Sequence, residues 1–144
     1  MPTEARLLEG CGIAAVRLQE LPVIRDSRGS LSFAQYQESL PFLPKRFFLV
    51  FNVGEGQTRG GHAHKRVRQL LVCVKGSCLV SLDDGKTRDE VWLDRPELTL
   101  YLPPKIWATQ SQFSSDAVLM VLASNIYDPD EYIKDHDEFL RIAE

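Results

Sequence analysis

Residues 69–86 read QLLVCVKGSCLVSLDDGK, and the way this stretch divides decides the fold. Two short apolar runs are separated by Lys75-Gly76-Ser77, and the second run ends in Asp83-Asp84-Gly85. Valine, leucine and cysteine dominate both runs, as they do in half-buried or buried strands. Glycine in each break offers the positive φ that tight turns between strands demand. The stretch therefore reads as two hairpin-linked strands with a further turn leading onward.

The same rhythm continues in both directions. Downstream lie TRDEVWL (87–93), ELTLYL (97–102), KIWATQSQF (105–113) and AVLMVLAS (117–124). Upstream lie IAAVRL (13–18), LPVIRD (21–26), the alternating LSFAQY (31–36) and the aromatic-rich RFFLVFNV (46–53). DSRG (26–29) is a turn, LPFLPK (40–45) with its two prolines is a loop, and GEGQTRGG (54–61) is a glycine-rich loop. Strand after strand at this spacing, with no helical period between, indicates an antiparallel sandwich or barrel. The period changes in DPDEYIKDHDEFLRI (128–142). Asp128 suits an N-cap, Pro129 a first helical residue, and Glu131 completes a capping box. Tyr132, Ile133, His136, Phe139 and Leu140 then share a face, so a C-terminal helix over about 129–141 is expected on the barrel, with His136 a structural residue.

Composition bounds the function. A chain of 144 residues with 44% apolar and 26% charged residues reads as one soluble domain spanning 1–144. Its net charge of −3 argues against nucleic acid as a partner, and KRVR (65–68) reads as a local anion contact. No apolar run approaches the roughly 20 residues of a membrane span. The start, MPTEARLLEG, lacks the pattern of a secretory signal, and three cysteines without CxxC spacing suit a reducing, cytoplasmic setting.

The chemistry concentrates in RGGHAHKRVRQ (59–69). On a strand, His62 and His64 fall on one face, because side chains alternate. Such a pair is a metal chelate, a proton-transfer site or a coincidence. Gly56-x5-His62-x-His64-x4-Gln69-x6-Gly76 resembles the first cupin motif, G-x5-H-x-H-x(3,4)-E-x6-G, in every spacing. That resemblance implies a double-stranded β-helix jelly roll, all-β apart from the short C-terminal α-helix. In cupins the motif binds a metal with help from a histidine of a second motif, P-x-G-x2-H. Here Gln69 stands for the glutamate, and Pro103-Pro104-Lys105-Ile106-Trp107-Ala108 ends in alanine. Two of four ligands remain, too few for an ordinary first-row metal site, so no metal is expected. Two neutral imidazoles can still accept a proton and hand it back.

A narrower resemblance covers about residues 20–140. IRDSRGSL (24–31), PKRFFLVFNV (44–53), RGGHAHKRVRQLLVCVKGSCLVSLDDG (59–85) and FSSDAVLMVLASNIYDPDEYIKDHDEF (113–139) look like the sugar-nucleotide 3,4-ketoisomerases, cupin enzymes acting on dTDP-4-keto-6-deoxy-D-glucose. The resemblance implies an isomerase without metal or cofactor that moves the ketone from C4 to C3 through an enediolate. The product would feed 3-amino-3,6-dideoxy sugars of lipopolysaccharide O-antigen, S-layer glycans or antibiotics. It also implies a homodimer exchanging an N-terminal strand. His62 is expected as the C3 base and His64 as its relay or oxygen-polarising partner, with the order open. Arg59, Arg46 and Arg28 are expected at the sugar or the diphosphate, Arg28 from a neighbouring subunit. Gly61 would let backbone approach the sugar, Gln69 would bond His64 or a hydroxyl, Lys65 would contact an anion, and Trp107 and Tyr101 would line the pocket or stack on thymine. Relatives often carry tyrosine in the strand occupied here by Phe47, Phe48 and Leu49, none of which offers a phenol. The competing readings are a 3,5-epimerase of the same ketosugar and a non-catalytic sugar-nucleotide-binding cupin.

Overall fold

The computed structural model describes residues 4–143. In chain order its strands are β1 (Arg6–Leu8), β2 (Arg17–Glu20), β3 (Val23–Asp26), β4 (Gly29–Ser32), β5 (Arg46–Phe51), β6 (Arg59–His64) and β7 (Gln69–Lys75). They continue with β8 (Cys78–Asp83), β9 (Arg88–Leu93), β10 (Leu98–Leu102), β11 (Trp107–Ser111), β12 (Val118–Ala123) and β13 (Tyr132–Ile133). One helix, α1 (His136–Ile142), follows. Six strands form a sheet in the order β1-β2-β10-β7-β12-β5, and five form a second in the order β13-β6-β11-β8-β9. β3 and β4 make a separate hairpin, and every pairing between strands is antiparallel.

The stretch 69–86 forms its two strands, but they do not pair with each other. β7 lies in the six-stranded sheet and β8 in the five-stranded one, so Lys75-Gly76-Ser77 is a corner between facing sheets. The second turn does close a hairpin, with Asp83 opposite Arg88. The corner explains the glycine. Gly76 has φ +70°, and a Cβ there would collide with the Ser114 hydroxyl and come within 2.8 Å of Ala117 Cα. Ser114 fills this space because it ties the corner down: Ser77 N donates to Ser114 Oγ at 2.9 Å, and Ser114 N donates to the Ser77 carbonyl at 2.9 Å.

Alternation then fills the core. Leu71 and Cys73 of β7, Leu100 and Leu102 of β10, and Leu119 and Val121 of β12 face Cys78, Val80 and Leu82 of β8 and Val91 and Leu93 of β9. Cys73 and Cys78 are small buried residues with free thiols. Leu100 is fully buried, so Leu100→Ala is expected to lower unfolding free energy by about 2–5 kcal/mol through lost burial and a residual cavity. A urea titration against wild type measures it, and a loss under 1 kcal/mol would contradict this packing. The N-terminal strand β1 pairs with β2 of the same chain.

The C-terminal segment departs from the expected single helix over 129–141. Asp128 caps only one 3-10 turn, Pro129–Glu131, accepting from Asp130 N. The backbone then extends, and Tyr132 and Ile133 pair with His64 and Ala63 of β6. Asp135 caps α1 proper, which seats the fully buried Phe139 beside Ala63 and Ile133. The helix breaks where the backbone turns to pair with the edge of β6. Among the described residues, no helix is long and apolar enough to cross a membrane.

Candidate active site

Gly60 and Gly61 set the local geometry. His62 lies opposite Ala108 of β11, and Gly60 lies opposite Thr109, which leaves Gly61 as an extra, unpaired residue. Both glycines have φ near +80°, at +79° and +78°. A Cβ on Gly60 would sit 2.8 Å from the Ala108 carbonyl oxygen, whereas Gly61 faces open space. Bulges of this kind bend a strand and re-aim the side chains beside them. Here the bulge immediately precedes the two histidines.

A cavity of about 620 Å³ opens between the two sheets. Arg59, His62, Ala108 and Gln110 come from the five-stranded side, with Gly61 presenting bare backbone. Arg46, Phe48, Val50, Gln69, Leu71 and Val121 come from the six-stranded side. Tyr127, Tyr132 and Lys134 of the C-terminal segment complete the lining.

That segment is clamped by Glu131, which is only 5% exposed. Its Oε2 accepts from Arg66 N at 2.8 Å and Val67 N at 3.1 Å, and its Oε1 accepts from Arg66 Nε at 2.9 Å. Burial opposes ionisation of this carboxyl, but those hydrogen bonds outweigh it and hold Glu131 below the usual glutamate range. The Glu131 carbonyl also accepts from Lys65 N at 3.0 Å. The clamp and the β13–β6 pairing place the Tyr132 ring over both imidazoles. Ring centroids are 4.8 Å apart for His62–Tyr132, 4.6 Å for His64–Tyr132 and 5.1 Å for His62–His64.

The two histidines differ. His62 lines the cavity, and burial lowers its proton affinity despite a hydrogen bond with the Gly60 backbone. His64 lies behind it at 5% exposure, with neither ring nitrogen hydrogen-bonded. Burial first, then the neighbouring His62, pushes the His64 imidazole down to about 4. Both rings are therefore neutral near pH 7, the state in which an imidazole can accept a proton.

The depressed His64 value makes stability depend on pH. Above about 6.5 neither the folded nor the unfolded chain protonates this ring, and it contributes nothing. Below that the unfolded chain takes up a proton that the folded chain refuses. Stability is thus lost as pH falls from about 6.5 to about 4, by up to about 3 kcal/mol. Urea midpoints of wild type and His64→Gln across this range test it: the variant should show the shallower acid loss, and identical slopes would rule out the assignment.

The donor set does not fit the metal of the cupin motif. Gln69 brings no charge, and Ala108, in register with His62, brings no ligand. Among the described residues, no three His, Cys, Asp or Glu side chains converge.

Of the residues expected at the substrate, His62, Arg59, Arg46, Gly61 and Gln69 meet at this cavity, with His64 one layer deeper. Four others lie elsewhere. Trp107 points from the opposite face of β11 to α1, with its ring 5.0 Å from His136 and 5.7 Å from Phe139. Adjacent strand residues face opposite ways, and it is Ala108 that faces the cavity. Tyr101 is buried on the outer face of the six-stranded sheet, where it packs on Phe42 and its hydroxyl accepts from Arg68 Nε at 2.8 Å. Lys65 is exposed where the chain leaves β6. Arg28 sits on the β3–β4 hairpin, 89% exposed and paired with Asp26. His136 bonds Asp83 Oδ2 through Nε2 at 3.0 Å, a structural tie for α1.

Sequence reading missed Tyr132, Tyr127, Lys134 and Gln110. Tyr127 and Tyr132 bring phenols to the cavity from the far end of the chain. Only the polar, aromatic character of YIK (132–134) hinted at it, and a helical period absorbed that hint.

Comparison with known proteins agrees with this geometry. Residues 14–144 match the family described as FdtA: WxcM-like, C-terminal. The chain is 47% identical over 116 residues to a TDP-4-oxo-6-deoxy-alpha-D-glucose-3,4-oxoisomerase from Aneurinibacillus thermoaerophilus, covering 81% of this chain and 84% of that one. The structure is similar to the WlaRB TDP-quinovose 3,4-ketoisomerase from Campylobacter jejuni, with TM-score 0.86 and 40% identity over 90% of this chain and 99% of that one. It is also similar to the 3,4-ketoisomerase QdtA from Thermoanaerobacterium thermosaccharolyticum, solved as a histidine-to-asparagine variant in complex with TDP-4-keto-6-deoxyglucose. The TM-score there is 0.87, with 31% identity over 91% of this chain and 95% of that one. The 4-keto-6-deoxy sugar epimerase NovW from Streptomyces spheroides, at 21% identity, shares the fold.

Proposed function

The chain belongs to the FdtA family, WxcM-like, C-terminal, and on that premise we propose that it is a TDP-sugar 3,4-ketoisomerase that moves the ketone of TDP-4-keto-6-deoxy-D-glucose from C4 to C3. The observation that carries the reading at the site is the pair of neutral imidazoles under the Tyr132 ring, in a cavity whose donors do not suit a metal.

The hydrogen on C3 is acidic because the C4 carbonyl can accept the electron pair. His62, which faces the cavity, removes it and becomes imidazolium. The C–H pair forms the C3=C4 bond, and O4 becomes an oxyanion. Gln69, Gln110 and Arg46 bring N–H donors to the cavity, and donors directed at a developing oxyanion are worth roughly 10²–10³-fold. The imidazolium then returns a proton to C4, using the C3=C4 pair, as the O3 proton passes to the O4 oxyanion and C3 becomes the ketone. His64 has no cavity surface of its own, and its ring backs His62 from behind, with centroids 5.1 Å apart. The Tyr132 hydroxyl is the further exchangeable proton beside them. Arg59, Arg46 and Lys134 give the cavity the positive charge that a diphosphate requires.

We place Arg28 at the cavity of a second subunit, because it is exposed and remote from the cavity of its own chain. A homodimer is supported by the outer face of β5, an edge strand, where Phe47, Leu49 and Phe51 are 64%, 45% and 56% exposed. Such an apolar row on a sheet edge calls for a cover. Sedimentation should give twice the 16.3 kDa chain mass, and a monomer at micromolar concentration would refute the dimer.

The reaction itself is tested by incubating the protein with TDP-4-keto-6-deoxyglucose and following it by NMR. A ketone appearing at C3 is the expected result. Inversion at C3 and C5 with the ketone left at C4 would make the protein an epimerase, and no change at all would leave a binding protein.

A further inference from the structure

The outer face of the five-stranded sheet carries a second cavity, of about 650 Å³, on the side away from the histidines. Alternation decides which side chains reach it. Val80 and Leu82 of β8 and Val91 and Leu93 of β9 fill the core, so Ser81, Asp83 and Glu90 point outward. On β11, Ala108 faces the histidine cavity, and Trp107 and Thr109 face this one. Residues opposite one another on paired strands share a face. The register therefore sets Trp107, Asp83 and Arg88 in one row and Thr109, Ser81 and Glu90 in the next. A third row, Ser111, Leu79 and Trp92, follows, with Trp92 48% exposed on the edge strand β9.

The polar groups of this face are held in place. Asp83 is buried, and its Oδ1 accepts from Gly85 N at 2.7 Å. Its Oδ2 lies 3.0 Å from His136 Nε2 and 3.3 Å from Arg88 Nε. Arg88 is thus tethered through Nε while its side chain stays exposed. Ser81 Oγ donates to Glu90 Oε2 at 3.4 Å, which sets a hydroxyl beside a carboxylate in the second row. The Trp107 indole is steadied by α1, edge-on to His136 and tilted on Phe139.

This composition selects a class of ligand. Asp83, Asp89 and Glu90 set three carboxylates against the Arg88 guanidinium, so a phosphate or nucleotide is repelled. A polyamine would in turn meet Arg88. A sugar hydroxyl both donates and accepts, so carboxylates, a guanidinium and the hydroxyls of Ser81 and Thr109 all serve it. The C–H face of a pyranose suits the flat apolar face of an indole. Trp92 lies two strand spacings and four residues from Trp107, a separation of about 17 Å that a trisaccharide bridges. We infer that this outer face is a second binding site, for a neutral oligosaccharide that stacks on Trp107 and Trp92 and bonds Glu90, Arg88, Ser81 and Thr109 between them. The site is independent of the reaction proposed above, whose diphosphate-bearing substrate belongs in the other cavity. It also lies on the opposite sheet from β5, the edge assigned to the dimer.

The chain has two tryptophans, and both lie on this face, so their fluorescence reports the site. Wild-type protein is titrated with neutral trisaccharides of glucose, mannose, galactose and rhamnose, and with spermidine and inorganic phosphate as charged probes. At least one trisaccharide is expected to give a saturable change with Kd at or below about 1 mM. Glu90→Ala is expected to weaken that binding about tenfold, through loss of a hydrogen bond to a charged group, with the urea midpoint unchanged. Saturating TDP should leave the trisaccharide Kd unchanged. No response to any trisaccharide, or a response to spermidine or phosphate alone, overturns the inference. So does wild-type affinity in Glu90→Ala. Loss of binding in the presence of TDP places the sugar in the histidine cavity and overturns it as well.

Discussion

His62→Asn is expected to lower kcat for ketone transfer by about 10²–10⁴-fold, the range that a positioned general base contributes. Asparagine keeps a planar polar group on β6 but has no nitrogen that accepts a proton near neutrality. His62 is the only histidine among the described residues lining the cavity, and burial keeps it neutral and ready to accept. Substrate binding should survive, because Arg46, Arg59 and Lys134 are untouched. A KM within a few-fold of wild type, with thermal stability unchanged, separates lost chemistry from lost structure. If His62→Asn kept more than a tenth of wild-type kcat while His64→Asn lost all activity, the roles of the two rings would have to be exchanged. Because its proton affinity is lowered, the acid limb of kcat/KM should fall below the ordinary histidine midpoint of about 6.5.

The second large effect is expected at Tyr132. Tyr132→Phe keeps the ring that covers both imidazoles and removes only the hydroxyl. If that hydroxyl takes part in proton transfer, kcat should drop about 10²-fold, at the lower end for a positioned proton donor, with the unfolding midpoint unchanged. Wild-type kcat in the variant would reduce Tyr132 to a packing residue. Glu131→Ala gives the structural contrast. It strands the backbone N–H groups of Arg66 and Val67 and should cost about 1–3 kcal/mol of stability. It should also raise KM along with lowering kcat, because the whole segment bearing Tyr132 and Lys134 is loosened.

The strands were legible because their information is local. Alternation and turn residues located β7 to β12 to within a residue or two of their observed ends. The pairing of those strands was not legible. QLLVCVKGSCLV reads as a hairpin, and only the packing of Ser114 against Gly76 shows why the corner joins two sheets instead. The histidine face was also local, since H-x-H on any strand puts both rings together, and the same logic turns Trp107 away once Ala108 faces in. Tyr101 faces outward for the same reason, while Leu100 and Leu102 on either side fill the core. β13 carries the clearest limit. It is two residues long, and it exists because β6, some 70 residues earlier, offers it an unpaired edge. The capping signals at Asp128 and Pro129 were real and are used, but for one turn only. Nothing within 128–142 records that Glu131 would prefer the backbone of Arg66 and Val67 to that of its own helix.

The clamp at Glu131 also has a consequence for how the protein comes into being. Every strand of the central core has been translated by Ala123, before Tyr132 leaves the ribosome. Because domains fold while synthesis proceeds, the two sheets can associate around Leu71, Val80 and Leu100 while β6 still has a free edge. At that stage the Tyr132 ring is not yet beside the two histidines. The cavity lining is complete only when β13 has docked on β6. A nascent chain that ends before Tyr132 would therefore lack the last-formed part of the cavity lining.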